Sequence, residues 1–134
     1  MQNKDKIKLL KEYLLLQDEL KLMDESISEF RGIYSMPGMG FAPGGHTNNK
    51  KDLSDYMVKY EKLLDKYYKK KYKLVEINTR IFDAIDKLDK ASERIVIHMR
   101  FIQGKDMDDV QEALHLERAQ AYRIYNSAIK KIDL

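Results

Sequence analysis

Near its C-terminal end, this 134-residue chain spaces a small set of side chains in a way that suits nucleic-acid chemistry. Arg118 and Tyr122 are four residues apart, as are Ala119 and Arg123, and Asn126 follows. On a helix, residues four apart share a face, so these five form one outward stripe. An arginine can grip guanine O6 and N7 with two donors, and an alanine can meet a thymine methyl. Gln120, Ser127, Lys130 and Lys131 flank the stripe. They are assigned to backbone phosphates, contacts that position a protein without specifying sequence. A lone amphipathic helix would use such arginines only to solvate its surface. The DNA reading therefore depends on what precedes this helix.

No competing chemistry is legible. There is no cysteine, which excludes disulfides, thiol catalysis and cysteine–zinc sites and suits a reducing compartment. His46, His98 and His115 stand in three different segments, without the i, i+4 spacing of a zinc pair. Asp106, Asp108 and Asp109 lack the glycine and closing glutamate of a calcium loop and read better as helix caps. The glycines of Gly32 to Asn49 follow no phosphate-loop spacing. We expect no enzyme, no metal site and no cofactor.

The elements that must position the stripe are helical throughout. Leu9, Tyr13, Leu16, Leu20, Met23, Ile27, Phe30 and Tyr34 alternate steps of four and three, a seven-residue repeat that puts all eight on one seam. Gly32 is expected to end this helix before Tyr34. Leu53, Met57, Tyr60, Leu64, Tyr67, Lys71, Leu74, Asn78, Ile81, Ile85 and Leu88 continue the rhythm after the break. Asp52 or Ser54 is available to cap that second helix. Lys71 and Asn78 are polar seam positions, of the kind that fix register at some cost in packing. The two seams can pair as an antiparallel hairpin within one chain or between two copies, and the sequence does not separate these. Either way, wide apolar stripes predict a homodimer held by residues before 90.

Beyond residue 90 the helices shorten. Ser92 can cap a helix through Gln103 whose apolar positions are Ile95, Val96, Met99 and Ile102. Gly104 stops it, where a left-handed residue costs little. Asp106 caps a second helix carrying Val110, Ala113 and Leu114, His115 marks a tight turn, and a last helix runs from Glu117 to about Ile132. Its inner stripe is Ala121, Ile124, Ala128 and Ile129. A short helix, a tight turn and a longer helix are the helix-turn-helix plan. The expected fold is all-α: N-terminal helix 1–31, Gly/Pro-rich connector 32–51, long helix 52–90 and DNA-binding module 91–134.

Charge is unevenly placed. Between Lys50 and Lys73 nine lysines face four acidic residues, and Lys66, Lys69, Lys70 and Lys73 form a candidate polyanion patch or a solvated helix face. From residue 91 onward seven basic and seven acidic residues leave the module neutral. No apolar run is long enough to span a membrane, and the leucines of the first twenty residues are interrupted by acids, unlike a signal peptide. These features predict a cytoplasmic protein without a membrane partner.

Leu88 to Ile132 resembles sigma-factor region 4 and, more closely, the late-gene transcription regulators of temperate phages of Gram-positive bacteria (the RinA and ArpU type). The resemblance is carried by Arg100-Phe101-Ile102-Gln103-Gly104, Met107-Asp108-Asp109-Val110, Leu114-His115-Leu116-Glu117, Tyr122-Arg123-Ile124-Tyr125 and Ala128-Ile129-Lys130-Lys131. The chain also looks like a phage family of unassigned role that joins such a module to an N-terminal helix and a glycine-rich connector. His115 replaces the usual glycine of the turn, Glu117 the usual capping serine or threonine, and Gln111 a small alanine. The resemblance implies a phage or prophage regulator that reads double-stranded DNA through the stripe above and activates late genes in the bacterial cytoplasm. The rival readings are an interaction protein that docks on host RNA polymerase or another host protein without reading DNA, and a small-terminase-like packaging factor.

Overall fold

A computed structural model describes residues 1–35 and 48–134 of the chain, with side chains from 33 to 35 and 48 to 52 left aside. Among the described residues every element is helical: α1 (Asn3–Ser35), α2 (Asn48–Asp86), α3 (Ala91–Ile97), a π-helical turn (His98–Ile102), α4 (Met107–Leu114) and α5 (Arg118–Lys131). The fold is all-α, as the heptad rhythm predicts. Both long helices overrun their expected limits. α1 continues through Gly32 to Ser35, an interior glycine costing a helix only about 1 kcal/mol. α2 begins at Asn48, so Asp52 and Ser54 lie inside the helix rather than at its cap. The rest of the expected connector, 36–47, lies outside the described residues.

The chain divides into two compact units, Met1–Gln17 with Leu74–Leu134, and Asp18–Lys73. In the second, Leu20 and Ile27 are buried. Phe30 stacks on Tyr60 with ring centroids 5.1 Å apart, and Glu19 forms an ion pair with Lys70. Moving back along α1 therefore means moving forward along α2, which is antiparallel pairing within one chain. The first unit shows the same sense. The buried Tyr13 hydroxyl accepts hydrogen bonds from Asn78 and, at 2.9 Å, from Gln17. Asn78, the polar seam position, thus has a partner inside its own chain. Lys71 is exposed, its ammonium 5.6 Å from the Tyr67 ring.

Two apolar clusters build the first unit. One gathers Leu10, Tyr13, Ile81, Ile85, Ile97, Phe101 and Ile129, among others. The other joins Val96, Met99, Met107, Val110 and Ala121. α3 and its π turn supply both, with Ile97 and Phe101 on one side and Val96 and Met99 on the other, while Tyr125 touches each cluster. A helix with two buried sides does not show a single stripe, and Ile95, one of its apolar positions, is 41% exposed. The π turn closes when the Lys105 N–H donates to the Met99 carbonyl at 2.9 Å, with Gly104 left-handed at φ 70°.

Lys6, 8% exposed, is a lysine used as a helix cap. Its ammonium donates to the carbonyls of Ile129 (3.1 Å) and Lys130 (3.0 Å). These are last-turn acceptors with no partner inside α5, at the negative end of the helix dipole.

Candidate nucleic-acid interface

Local rules set each end of the module. Lys90 is extended and precedes α3 without a side-chain cap, so Ser92, inside the first turn, lies two residues past the cap position it was expected to fill. Instead Arg94 Nη1 reaches back to the carbonyls of Leu88 (2.5 Å) and Asp89 (3.1 Å) and fixes the turn between α2 and α3. Asp106 caps α4, its carboxylate accepting from the Asp109 N–H at 2.9 Å.

His115 occupies the left-handed region at φ 54°, ψ 45°. The turn that a glycine usually makes thus survives with a side chain, and the Leu116 N–H closes back on the Gln111 carbonyl at 3.0 Å. A left-handed non-glycine residue carries a strain of about 1–2 kcal/mol. We expect His115→Gly to be neutral or to stabilise by up to about 1 kcal/mol, the added chain entropy of glycine offsetting part of the relief. Urea unfolding measures this, and a clear destabilisation would show that the imidazole itself supports the turn. Glu117 fills the N-cap of α5, with Gln120 Oε1 accepting from its N–H at 3.4 Å as part of a capping box. The expected weak start of this helix is therefore reinforced by Gln120.

α5 packs Ala121, Ala128 and Ile129 inward, and Ala121 at 0% exposure lets it approach Val110 of α4 closely. The opposite side carries Arg118, Ala119, Tyr122, Arg123 and Asn126, every one exposed. The five residues proposed from spacing alone are thus brought onto one surface. Arg118 is held over the Tyr122 ring, its guanidinium carbon 5.5 Å from the centroid, and Tyr122 meets Tyr125 edge-on at 6.5 Å. Burial pushes the Tyr125 phenol above its ordinary value of 10, so it stays a neutral hydroxyl at physiological pH.

The flanking phosphate candidates separate into two groups. Gln120 and Lys130 are exposed. Ser127 and Lys131 point elsewhere: Ser127 Oγ donates to Glu93 Oε1 at 2.8 Å and Lys131 Nζ to the same oxygen at 3.1 Å. Both hydrogen-bond a carboxylate that is 2% exposed, while the Lys131 side chain remains 47% exposed. Burial pushes the Glu93 carboxyl up, but the Ser127 and Lys131 hydrogen bonds and the Lys131 and Lys90 charges outweigh it, and the group sits below its ordinary value. Sequence spacing missed Glu93 because its partners lie 34 and 38 positions away. Its one signal was an acid falling on the inward side of α3, four residues before Ile97.

The lysine patch belongs to the other unit. Lys66 and Lys73 are exposed. Lys69 pairs with Asp65 at 2.9 Å on the surface, and Lys70 with Glu19. Two of the four charges are thus compensated locally.

Among the described residues no group of three or more His, Cys, Asp or Glu is placed to hold a metal ion. No described helix is long and apolar enough to cross a membrane. The sequence profile of a family described as protein of unknown function (DUF1492) matches residues 41–133. No curated protein and no solved structure matches the chain.

Proposed function

The chain belongs to the DUF1492 family, and from that premise we propose that it is a sequence-specific DNA-binding regulator whose α5 enters the major groove. One observation carries the reading. A short capped helix, a tight left-handed turn and a longer helix lie in a helix-turn-helix order, and the longer helix presents Arg118, Ala119, Tyr122, Arg123 and Asn126 to solvent together. That is the arrangement with which a recognition helix offers donors to base edges. The matched family region, residues 41–133, contains α2 through α5.

Within this proposal Arg123, in the second turn of α5, reads bases, and Gln120 and Lys130 meet phosphates. The module's balanced charge predicts weak binding by one copy, because phosphate neutralisation supplies much of the affinity. A homodimer, with two modules at a fixed spacing, meets that need. The resemblance to phage late-gene regulators makes a phage or prophage promoter the natural target. The rival reading, docking on a host protein such as RNA polymerase without DNA contact, would use the same exposed stripe.

Arg123→Ala should cost about 1–3 kcal/mol on the cognate site and relax preference at one or two base pairs. Lys130→Ala should weaken all duplexes alike and lower the slope of log affinity against log salt by about one unit. Titrations on cognate and scrambled duplexes at two salt concentrations separate the readings. If Arg123→Ala binds every duplex as the wild type does, α5 is not a base reader and the proposal falls.

A further inference from the structure

A cleft of about 310 Å³ opens where the π turn and the first turns of α4 and α5 converge, lined by Arg100, Asp106, Met107, Asp108, Arg118 and Tyr122. Two guanidinium groups share this lining, and among the described residues neither forms an ion pair with a carboxylate, although two aspartates share it as well. The aspartates accept hydrogen bonds from α4 and keep their charge, so the cleft holds two cations and two anions. Asp106 accepts the Asp109 N–H at 2.9 Å, and Asp108 accepts from Gln111 at a long 3.4 Å. Arg100 spends Nη1 on the Lys105 carbonyl at 2.8 Å, while its Nε is inaccessible to solvent and has no acceptor. Its positive charge is therefore left without an anionic partner. Arg118 is steered toward the same cleft by its position over Tyr122.

We infer that this cleft seats one phosphate oxyanion of the DNA backbone, gripped by Arg118 and Arg100, so that Arg118 is a phosphate clamp and not a base reader. The inference rests on the DNA-binding proposal above. Guanidinium forks match phosphate oxygens and exclude little else of that charge density. Arg118 and Tyr122 belong both to the cleft and to the exposed stripe of α5. A phosphate in the cleft and base edges at Arg123 are then neighbouring parts of one polymer. The seat would fix the angle at which α5 enters the groove, and sequence choice would pass to Arg123 and Asn126.

The test uses the full chain and synthetic duplexes, with helical content confirmed for every variant. Arg118→Ala should weaken cognate and scrambled duplexes equally, on the order of tenfold, and lower the salt slope by about one unit without changing base preference. Arg118→Lys should keep the slope. A cognate duplex with one neutral methylphosphonate, walked along the backbone, should reveal a position whose loss matches that of Arg118→Ala and adds nothing to it. Arg118→Ala relaxing preference at a particular base pair would overturn the inference, as would an unchanged slope or no such backbone position. Failure of the DNA proposal looks different, since wild-type protein would then show no sequence preference on any duplex. Titration with inorganic phosphate checks the other source of the same chemistry. Binding that needs Arg118 in a protein indifferent to DNA would also overturn the inference, by assigning the cleft to a free anion.

Discussion

Removing both donors to Glu93, in a Ser127→Ala, Lys131→Ala double variant, should cost about 3–5 kcal/mol at pH 7, because a buried charge that loses its partners keeps its desolvation penalty. The carboxylate is 2% exposed, and its second oxygen, Oε2, already lacks a partner, so nothing in the site would take over. The pH profile makes the outcome specific. In the wild type the folded value of Glu93 is depressed below its ordinary 4.5. Its contribution is thus present above about pH 4.5 and is lost as pH falls through the folded value. With the donors gone, burial is opposed only by the Lys90 charge, and the folded value rises from its depressed position toward or above the ordinary one. The penalty then stands at neutral pH and fades as pH falls toward 4.5, so acid should restore stability to the variant over a range in which the wild type is flat. Adding Glu93→Gln to the double variant should recover most of the loss at pH 7. Urea unfolding from pH 4 to 8 decides the matter. A loss below about 1 kcal/mol that does not depend on pH would mean that water enters and satisfies the carboxylate.

Phe101→Ala should be equally damaging, about 3–5 kcal/mol from lost transfer energy and the cavity left behind. Phe101 is 1% exposed, packs in the cluster with Tyr13, Ile81 and Ile129, and stacks on Tyr125 at 6.1 Å. Tyr125 touches both clusters, so the cavity should be felt on the α4–α5 side as well. Against a typical total of 5–15 kcal/mol, the melting temperature should fall by about 10–20 °C for a domain of this size. Phe101→Leu, which retains most of the volume, should lose much less. If alanine and leucine behave alike with small losses, the residue packs loosely and the two-cluster account of this module is wrong.

What the sequence made legible is local. Tyr13, Leu20 and Ile27 stand seven apart and are the buried line of α1, because a heptad repeat needs only helix geometry to be read. Asp106 as a cap, Gly104 as a stop and His115 as a left-handed turn are each decided by the residue and its neighbours. So is the outward stripe of α5. What stayed hidden depends on distant partners. Lys6 reads as a solvated lysine until α5 brings its last carbonyls to it. Ser127 and Lys131 read as surface residues because nothing near them announces Glu93. Gly32 and Ile95 mislead in opposite directions. At the first a helix tolerates an interior glycine at about 1 kcal/mol, and at the second a helix serving two clusters removes the single-stripe logic.

The Lys6 cap also bears on how the protein is made. The unit that carries the DNA stripe is discontinuous, combining Met1–Gln17 with Leu74–Leu134. On the ribosome, residues 1–17 emerge well before α5 and must wait through the synthesis of everything between before their partners there exist. The intervening Asp18–Lys73 stretch is continuous and has all its internal partners as soon as it leaves the exit tunnel. Closure of Lys6 on Ile129 and Lys130 spans 123 and 124 positions, a separation that slows folding relative to helical proteins with purely local contacts. A nascent chain stalled before α5 would therefore lack the partners that complete the first unit.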